Sequence, residues 1–550
     1  MLRLSHRDPS LDDVPGQKIF GRAKNTPANC RALLGHRAQP NPTFESLTIP
    51  PEILPQTVAT YTEYQKRGIS WLAGREGGHL WWSAGSGKSR PALHSALSNA
   101  HKIVWVTISA AKTQVRSEIL ETTNLQPVDI HVVYGKSEPI PPARILILNW
   151  ELLPDRLLDI LRWAGAYVDA DAESIPANWK AAKPGEFAVV LDELHSAKQT
   201  RRFEKGVNEQ GIVVYNDLGN RSSAASHLAK KACFRLGLTA TPIRDNRMDL
   251  WSQLDIIEPD CWGRSLEWAF RYCDAKEGKF GGFDTSGASN TEELNLRLRE
   301  VTNIVKGEEA RAALPGMRRR LFYLGPEDQC RPGGEWRKEL KAAARSGKEA
   351  LFAVQRAEAA ARKRKWIIDA VVQAMGDRRK VVIFSGLRLD VEALGEGLKQ
   401  AFEKTFPSGR VPTLWRAHGG EDGDLRGSIK TAYMQHPGPC CLVATGESFG
   451  VALNLQDTDL AIMAMLPWNG GQIEQYEGRF VRQGQKRKVE IWYPIAEGTV
   501  DEGIADLVLN KLERVVDVDG GSAGGAREVA DMLGGADNED EIMAKLLGKF

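Results

Sequence analysis

The sequence contains few cysteines and no long apolar run. Among its 550 residues are 7 cysteines, and none of them form a CxxC pair. This pattern argues against a zinc ribbon and against a secreted disulfide scaffold, so we expect a reducing compartment. No stretch approaches the ~18 consecutive apolar residues needed to span a bilayer, and the opening MLRLSHRDPS lacks the apolar segment of a secretory signal. We therefore expect no membrane association.

The chain also lacks an excess of either charge. Lys and Arg (73) against Asp and Glu (71) leave a formal net charge of +2. The composition therefore indicates no particular binding partner, although a chain with nearly equal numbers of positive and negative residues can still carry a basic groove. The chain is too long for one hydrophobic core, because domains usually contain about 100–200 residues. We expect several domains.

Short apolar runs alternate with helix-length segments in two parts of the chain. This alternation predicts parallel sheets that are covered by helices on both faces. We expect an α/β protein with two parallel-sheet lobes in tandem, at 51–245 and 371–498, and a helical insertion between them at 246–370. Residues 1–50 are predicted to be an N-terminal extension, and 499–550 to be a C-terminal helix and a flexible tail.

A glycine-rich turn between a predicted strand and a predicted helix is the first candidate site. The run LWWSAGSGKS (80–89) offers backbone N–H groups and a helix N-terminus to a phosphate, a lysine to the β- and γ-phosphates, and a hydroxyl to Mg²⁺. The full phosphate-loop pattern has glycine where Trp82 stands, and a turn that only joins strand to helix is the alternative. The residues predicted to bind nucleotide here are Gly85, Ser86, Gly87, Lys88 and Ser89.

Two further motifs carry the charges that phosphoryl transfer needs. The strand run AVVLDELH ends in Asp192, which can hold the metal ion together with Ser89, and in Glu193, which can orient the attacking water. Arg479 and Arg482 stand three residues apart on a predicted helix and can bring positive charge to the γ-phosphate from a second lobe. The alternatives are a solvated acidic strand end and a solvated basic helix.

In their order along the chain, these segments resemble the Swi/Snf-like ATPases of helicase superfamily two, from about Tyr61 to about Leu512. The matching motifs are YTEYQKRGISWL, GSGKS, DELH, LTATP, VVIFSG, ESFGVALNLQ and QYEGRFVRQGQ. Residues 271–298 also resemble the annealing-helicase, fork-remodelling branch of the family. The resemblance implies two RecA-like lobes and a DNA-dependent ATPase or helicase that uses ATP and Mg²⁺ to move on, or remodel, duplex or branched DNA.

The resemblance also implies roles for individual residues. Gln65 matches the glutamine that contacts adenine. The positions that match residues coupling the nucleotide state to strand movement are His195, Thr239, Thr241, Gly450 and Gln475. Candidate contacts to nucleic-acid phosphates, which position a strand without reading its sequence, are Ser109, Lys112, Asn149, Ser385, Arg388, Thr445 and Ser448.

Some residues depart from the family pattern. Motif II carries Leu194 where the family has Ala or Gly, and we expect this to alter its packing on motif III. Ile304 and Val305 stand where the family has twin arginines, although Arg318 to Arg320 follow. The basic run ARKRK (361–365) is compatible with a phosphate-tracking face, a localisation signal or a solvated basic helix.

Two other functions stay open: an RNA-directed helicase, and a nucleotide-gated nucleic-acid-binding module without productive turnover. The segments PWN (467–469) and RQGQ are typical of the Swi/Snf group and disfavour the first, whereas the complete set of charged residues disfavours the second. Replication or repair proteins are the expected partners. A motor without chromatin-reading or zinc modules suits the cytoplasm of a bacterial or viral setting, associated with the nucleoid, better than a nucleus.

Overall fold

The computed structural model describes most of the chain between residues 41 and 505, and all structural statements below refer to the residues it describes. These are 41–166, 187–197, 203–207, 213–217, 221–243, 247–277, 283–312, 314–330, 336–418, 423–446, 455–467, 470–482 and 484–505. Across these stretches, no helix combines the length and the apolar content that a bilayer crossing requires. Most of the predicted N-terminal extension and C-terminal tail lie outside them.

The strands follow the short apolar runs of the sequence. They are β1 (Gly77–Trp82), β2 (Lys102–Thr107), β3 (Ile130–Val132), β4 (Ile145–Asn149), β5 (Phe187–Asp192), β6 (Phe203–Val207), β7 (Val213–Asp217), β8 (Phe234–Thr239), β9 (Lys276–Glu277), β10 (Phe283–Asp284), β11 (Thr302–Val305), β12 (Met317–Leu324), β13 (Lys380–Ser385), β14 (Thr413–Ala417), β15 (Cys440–Thr445), β16 (Leu460–Met463) and β17 (Val489–Ala496). Central strands such as β5 are buried along nearly their whole length, as expected when helices cover both faces of a sheet.

The helices are α1 (Pro55–Ala59), α2 (Glu63–Leu72), α3 (Ser89–Asn99), α4 (Lys112–Thr122), α5 (Leu153–Trp163), α6 (Arg221–Ala229), α7 (Met248–Ile257), α8 (Ser265–Tyr272), α9 (Thr291–Val301), α10 (Gly307–Arg311), α11 (Trp336–Ser346), α12 (Lys348–Gly376), α13 (Arg388–Thr405), α14 (Gly423–Gln435) and α15 (Gly470–Glu477). Local sequence explains where α2 starts. Thr62 and Gln65 form a capping box, in which each side chain binds the backbone N–H group of the other residue.

The first lobe is built on a seven-stranded parallel sheet with the order β11-β1-β8-β5-β2-β4-β3. Strand β8 lies between β1 and β5. The carboxyl ends of these three neighbouring strands therefore carry the GSGKS loop, the LTATP motif and the DELH motif side by side. In open α/β sheets, ligands bind at this edge.

The second lobe is built on a six-stranded parallel sheet with the order β12-β17-β16-β13-β15-β14. Two short antiparallel pairs, β6–β7 and β9–β10, belong to neither sheet. The predicted α/β fold, with two parallel-sheet lobes in tandem, is thus confirmed.

The predicted helical insertion at 246–370 needs correction, because it also supplies a strand to each sheet. Within it, β11 pairs with β1 at the edge of the first sheet, and β12 pairs with β17 at the edge of the second. An edge strand has one neighbour and can keep polar side chains, and this is why TNIV and MRRRLFYL lack the uniform apolar character of the central strands. Residues 306–316 therefore join the last strand of the first sheet to the first strand of the second.

The basic run at 361–365 is largely used inside the protein. Lys363 is fully buried in α12, where its ammonium group contacts Asp501 Oδ2 at 2.5 Å and donates to the carbonyl oxygen of Pro494 at 3.2 Å. Arg362 pairs with Glu358 of the same helix, and Arg364 pairs with Asp390. Lys365 is exposed. The run is thus neither a continuous phosphate-tracking face nor a fully solvated basic helix.

The Lys363–Asp501 pair gives a test of this packing. Lys363→Ala leaves the buried Asp501 carboxylate without its ammonium partner, and removing one partner of a buried pair costs about 3–5 kcal/mol. Urea denaturation is expected to show a loss of this size in the free energy of unfolding. The matched control Lys365→Ala removes an exposed lysine two residues away and should stay within about 0.5 kcal/mol of the parent. Equal stability of the two variants would contradict the assignment.

Candidate nucleotide site at the seam between the lobes

The glycine-rich loop between β1 and α3 has the backbone geometry of a phosphate cradle. Gly85 (φ +79°) and Gly87 (φ +71°) are both left-handed, a conformation that glycine adopts without steric cost. The loop is held in place from α2. The hydroxyl group of Tyr64 donates to the carbonyl oxygen of Ser86 at 3.0 Å, and the Gln65 amide donates to the carbonyl oxygen of Gly87 at 3.1 Å.

Gln65 is engaged at both ends of its side-chain amide. It is fully buried, and its Oε1 atom accepts the backbone N–H of Thr62 at 3.0 Å while Nε2 donates to the loop. The structure therefore shows Gln65 as a support for the loop backbone. The adenine contact implied by the family resemblance stays a prediction.

Asp192, at the end of β5, is fixed by Thr107 at the end of β2 and by Trp150 just after β4. Its Oδ2 atom accepts from the Thr107 hydroxyl at 3.0 Å, and its Oδ1 atom accepts the N–H of Glu193 at 3.0 Å. The indole of Trp150 donates to the Asp192 carbonyl oxygen at 2.9 Å. Sequence reasoning missed Thr107, although a polar residue at the end of an apolar strand was the available signal.

The electrostatics of Asp192 show that Lys88 is a neighbour. Burial and the adjacent Glu193 carboxylate raise the pKa of Asp192 to about 6. The ammonium group of Lys88 and the hydrogen bond from Thr107 act in the opposite direction. The lysine of the glycine-rich loop is thus within electrostatic reach of the acid of motif II.

Glu193 is held in a conformation that is uncommon for a residue with a side chain. Its φ is +51°, and such strain is often retained at functional sites. The nearby His195 Nδ1 atom lies 3.4 Å from Glu193 Oε2, 2.9 Å from the hydroxyl oxygen of Thr239 and 3.5 Å from that of Thr241. Motifs II and III are therefore joined through one imidazole ring. Three of the predicted coupling residues meet here.

The leucine in motif II is accommodated by a glycine in the next strand. A methyl group built on Gly237 of β8 would come within 2.5 Å of Leu194 Cδ2. The expected change in packing between motifs II and III therefore occurs at this point, because the missing side chain of Gly237 leaves room for the larger residue.

The two lobes touch directly at the glycine-rich loop. A Cβ atom on Gly85 would lie 2.7 Å from the carbonyl oxygen of Val481 and 2.9 Å from that of Gly478. A Cβ atom on Gly478 would lie 2.7 Å from Cβ of Ala84. All three distances are shorter than real Cβ contacts, so glycine on each side is what allows this approach. We call this contact the seam.

The arginines of motif VI enter the site from the second lobe and face different carboxylates. Burial and the nearby Arg482 lower the pKa of Arg479 to about 10, while Glu193 and Asp192 oppose that shift. Burial also lowers the pKa of Arg482, and here the opposing carboxylate is Glu118 of α4. Arg479 is therefore the arginine within electrostatic reach of motif II.

A cleft of about 860 Å³ opens beside the seam and is lined by both lobes. Its size falls in the range of roughly 300–1,000 Å³ that is usual for ligand sites. Its charged lining residues are Arg90, Glu118, Glu121, Arg426, Lys430 and Arg482. Cations outnumber carboxylates, and this charge balance suits a polyphosphate.

The described residues fit a magnesium ion that is shared with phosphates. No group of three or more His, Cys, Asp and Glu side chains among them could hold a metal without further ligands. Mg²⁺ typically takes one or two carboxylates plus water and substrate phosphates. The Ser89 hydroxyl at the start of α3 and the Asp192 carboxylate beside Lys88 provide hard oxygen donors of this kind.

The structure separates the predicted nucleic-acid contacts into buried and exposed groups. Lys112 donates to the carbonyl oxygen of Val133 at 3.0 Å and to Asn149 Oδ1 at 3.2 Å, and both Lys112 and Asn149 are buried. Ser385 is buried as well and donates to Asp390 Oδ2 at 2.8 Å. These three side chains stabilise the lobes internally, because their polar atoms bind other residues of the chain, and direct phosphate contact is not supported for them.

The remaining candidates differ in exposure. Ser109 and Arg388 are exposed, but Ser109 lines the cleft between the lobes. Thr445 and the coupling candidate Gln475 are buried. Ser448 and Gly450 lie outside the described residues.

The parallel sheets, the glycine-rich loop and the arginines at the seam define a two-lobed protein of the P-loop class. No family model matches the chain. It is 25% identical over 470 residues to the SWI/SNF-related matrix-associated actin-dependent regulator of chromatin subfamily A-like protein 1 of Xenopus laevis, an alignment that covers 82% of this chain and 43% of that protein. It is also 25% identical over 501 residues to the mouse DNA annealing helicase and endonuclease ZRANB3, covering 87% and 42%.

Two solved structures match the chain at low similarity. The Sulfolobus solfataricus SWI2/SNF2 ATPase core in complex with dsDNA has a TM-score of 0.35 and 19% identity, covering 89% of this chain and 98% of that one. The Pyrococcus furiosus Hef helicase domain has a TM-score of 0.43 and 13% identity, covering 82% and 98%.

The sequence relatives confirm the family resemblance. The chain resembles the Swi/Snf-like ATPases of helicase superfamily two in sequence. It spans less than half the length of the curated relatives just described.

The predicted bacterial or viral, cytoplasmic setting is wrong. The relatives come from eukaryotes that include frog, mouse, cattle and nematode, and several are named as regulators of chromatin. These names and organisms do not suit the cytoplasm of a bacterium or a virus-infected cell. The absence of chromatin-reading modules misled the prediction, because this chain matches only part of each relative.

The imidazole that joins motifs II and III can be tested with an isosteric change. Thr239→Val removes the hydroxyl that contacts His195 and that accepts the N–H of Thr241 at 3.1 Å. We expect ATP affinity to be retained and the stimulation of hydrolysis by duplex DNA to fall by about 5-fold or more, the usual lower bound of site-to-site coupling. The measurement is the ratio of phosphate release with and without DNA. An unchanged ratio would argue against coupling through this residue.

Proposed function

We propose that the chain is an ATP- and Mg²⁺-dependent DNA translocase or helicase that couples hydrolysis at the seam to movement on, or remodelling of, duplex or branched DNA. One observation carries the proposal. Arg479 of the second lobe lies within electrostatic reach of Asp192 and Glu193 of the first, across a contact in which Gly85 and Gly478 bring the main chains together.

Each charged group then has a role that suits its position. Lys88 and the N–H groups of the glycine-rich loop bind the β- and γ-phosphates. Ser89 and Asp192 hold Mg²⁺, which when bound neutralises phosphate charge. Glu193, fixed in its left-handed conformation, orients the attacking water. Arg479 and Arg482 stabilise the charge that develops on the transferred phosphoryl group.

Hydrolysis is coupled to movement because both lobes contribute to one phosphate site. With the triphosphate in place, the γ-phosphate attracts Lys88 of the first lobe and Arg479 of the second. Cleavage and phosphate release remove this shared attraction, and the lobes separate. His195 transmits the state of Glu193 to Thr239 and Thr241 of motif III.

The choice of DNA as substrate is supported by sequence relatives. The mouse relative is named as a DNA annealing helicase. In this chain, Arg388 at the start of α13 is an exposed cation at the carboxyl end of β13. We further propose that the first lobe reaches to Val305 and that the second begins at Met317.

A comparison of substrates tests the function and both alternatives. Phosphate release by the parent protein is measured with single-stranded, duplex and forked DNA and with RNA, and strand displacement is followed in parallel. We expect duplex or forked DNA to stimulate hydrolysis most. Greater stimulation by RNA would favour the RNA-directed helicase, and no stimulation by any nucleic acid would favour the nucleotide-gated binding module.

Glu193→Gln is the variant that we expect to bind ATP and DNA without hydrolysing ATP. It preserves shape but removes the carboxylate that orients water, and loss of such a group typically costs about 10²–10⁴-fold in rate. ATP and DNA binding, measured by fluorescence titration, should be retained. Turnover within a few-fold of the parent would contradict the role given to Glu193.

The two arginines are expected to differ. Loss of an arginine finger lowers kcat by about 10³–10⁵-fold, and the contact belongs to the transition state, so the affinity for ATP should change little. Because Arg479 is the one near motif II, Arg479→Ala should lose more turnover than Arg482→Ala. Single-turnover hydrolysis and nucleotide titration measure the two effects separately. Parent-like turnover in both variants would refute the finger assignment.

A further inference from the structure

The short connection between the lobes ends on a contact with motif VI. Val305 ends the last strand of the first sheet, and β12 begins at Met317. Just before β12, the carbonyl oxygen of Gly316 accepts a hydrogen bond from Gln485 Nε2 at 2.9 Å. Gln485 is the last residue of QYEGRFVRQGQ. The end of the connection is therefore attached to the C-terminal end of the segment that carries both arginines.

A two-point ion pair attaches β12 to the other part of the same segment. Arg319 donates from Nε and Nη2 to the two carboxylate oxygens of Glu477, at 2.6 and 2.7 Å. The Tyr493 hydroxyl donates to the same carboxylate at 2.7 Å. The Glu477 side chain is only 1% exposed, and a buried carboxylate is tolerated when its oxygens are satisfied in this way.

Glu477 in turn holds the turn that bears the arginines. It is the last residue of α15, and its carbonyl oxygen accepts the N–H groups of Phe480 and Val481, each at 3.0 Å. The next residue, Gly478, is the one that touches Ala84 at the seam. The backbone and the side chain of Glu477 therefore fix one short turn, and a shift of its carboxylate would shift that turn against the glycine-rich loop.

We propose that Arg319 is a positioning residue for phosphoryl transfer, which through Glu477 places Arg479 and Arg482 at the seam. The proposal rests on the proposed function. Arg319 stands three residues after the connection between the lobes, so opening of the lobes pulls on β12 and is passed to the arginines through the ion pair. The three consecutive arginines at 318–320 thus include one with a defined partner in motif VI.

An ion pair of this geometry can also act on stability alone, and the kinetic pattern separates the two roles. Arg319→Met removes the two-point donor and keeps much of the side-chain length. A positioning role predicts that kcat for DNA-stimulated hydrolysis falls on the order of 10²-fold, as when a catalytic group is misplaced by about 1 Å, while KM for ATP changes little. Arg319→Lys keeps the charge without the fork and should recover part of the loss.

The matched control is Arg318→Met, which changes the exposed neighbour on the same strand and should leave kcat at the parent value. A double variant adds a second criterion. If Arg319 acts through the arginine turn, Arg319→Met combined with Arg479→Ala loses little beyond Arg479→Ala alone. Losses that multiply, or a fall in kcat equal for Arg318→Met and Arg319→Met, would overturn the proposal.

Hydrogen exchange gives a readout that does not depend on hydrolysis. The amides of Phe480 and Val481 should exchange faster in Arg319→Met than in the parent or in Arg318→Met, because their acceptor on Glu477 is no longer anchored. A parent protein without DNA-stimulated hydrolysis would refute the proposed function, and the exchange rates would still show whether Arg319 anchors the turn. Unchanged exchange in Arg319→Met overturns the positioning role.

Discussion

Two turns, one from each lobe, meet at the seam through main-chain atoms and the methyl group of Ala84. Gly85 and Gly478 provide this approach, and the charges of the site are arranged around it. Lys88, Asp192 and Glu193 stand on the first lobe, and Arg479 comes from the second. The site is complete only while the lobes are in contact, because neither lobe carries both the acids and the arginines.

The surrounding residues keep the parts of this site in register. The glycine-rich loop is held from α2 by Tyr64 and Gln65, and Asp192 is held by Thr107 at the end of β2 and by Trp150 just after β4. On the other lobe, the Glu477 carboxylate accepts hydrogen bonds from Arg319 and Tyr493. The chemical groups are therefore few, and most of the polar contacts nearby serve to orient them.

The residues of the candidate site could be picked out from the sequence more easily than their surroundings, for physical reasons. Phosphate binding and Mg²⁺ binding restrict residue types over a few consecutive positions, so GSGKS and DELH could be recognised locally, and QYEGRFVRQGQ by its order. An edge strand such as β12 has no such local restriction, and its three arginines interrupt the apolar pattern by which a strand is recognised. The burial of Lys112 and Lys363 was not predictable either, because their partners, Asn149 and Asp501, are distant in sequence.

Exposure alone is a poor guide to which residues adjoin the candidate site. Gln65 and Thr239 are fully buried, although each adjoins a loop that the proposed reaction uses.

A contact made by main-chain atoms and the methyl group of Ala84 carries no charge that salt could screen and no reactive side chain that a covalent modification could reach. Ionic strength therefore acts on the ion pairs around it, not on the closeness of the approach. The closeness of this approach also makes the contact easy to block. A small molecule that placed one methyl-sized group between Ala84 and Gly478 would keep the lobes apart. It would not compete for the groups proposed to bind phosphate.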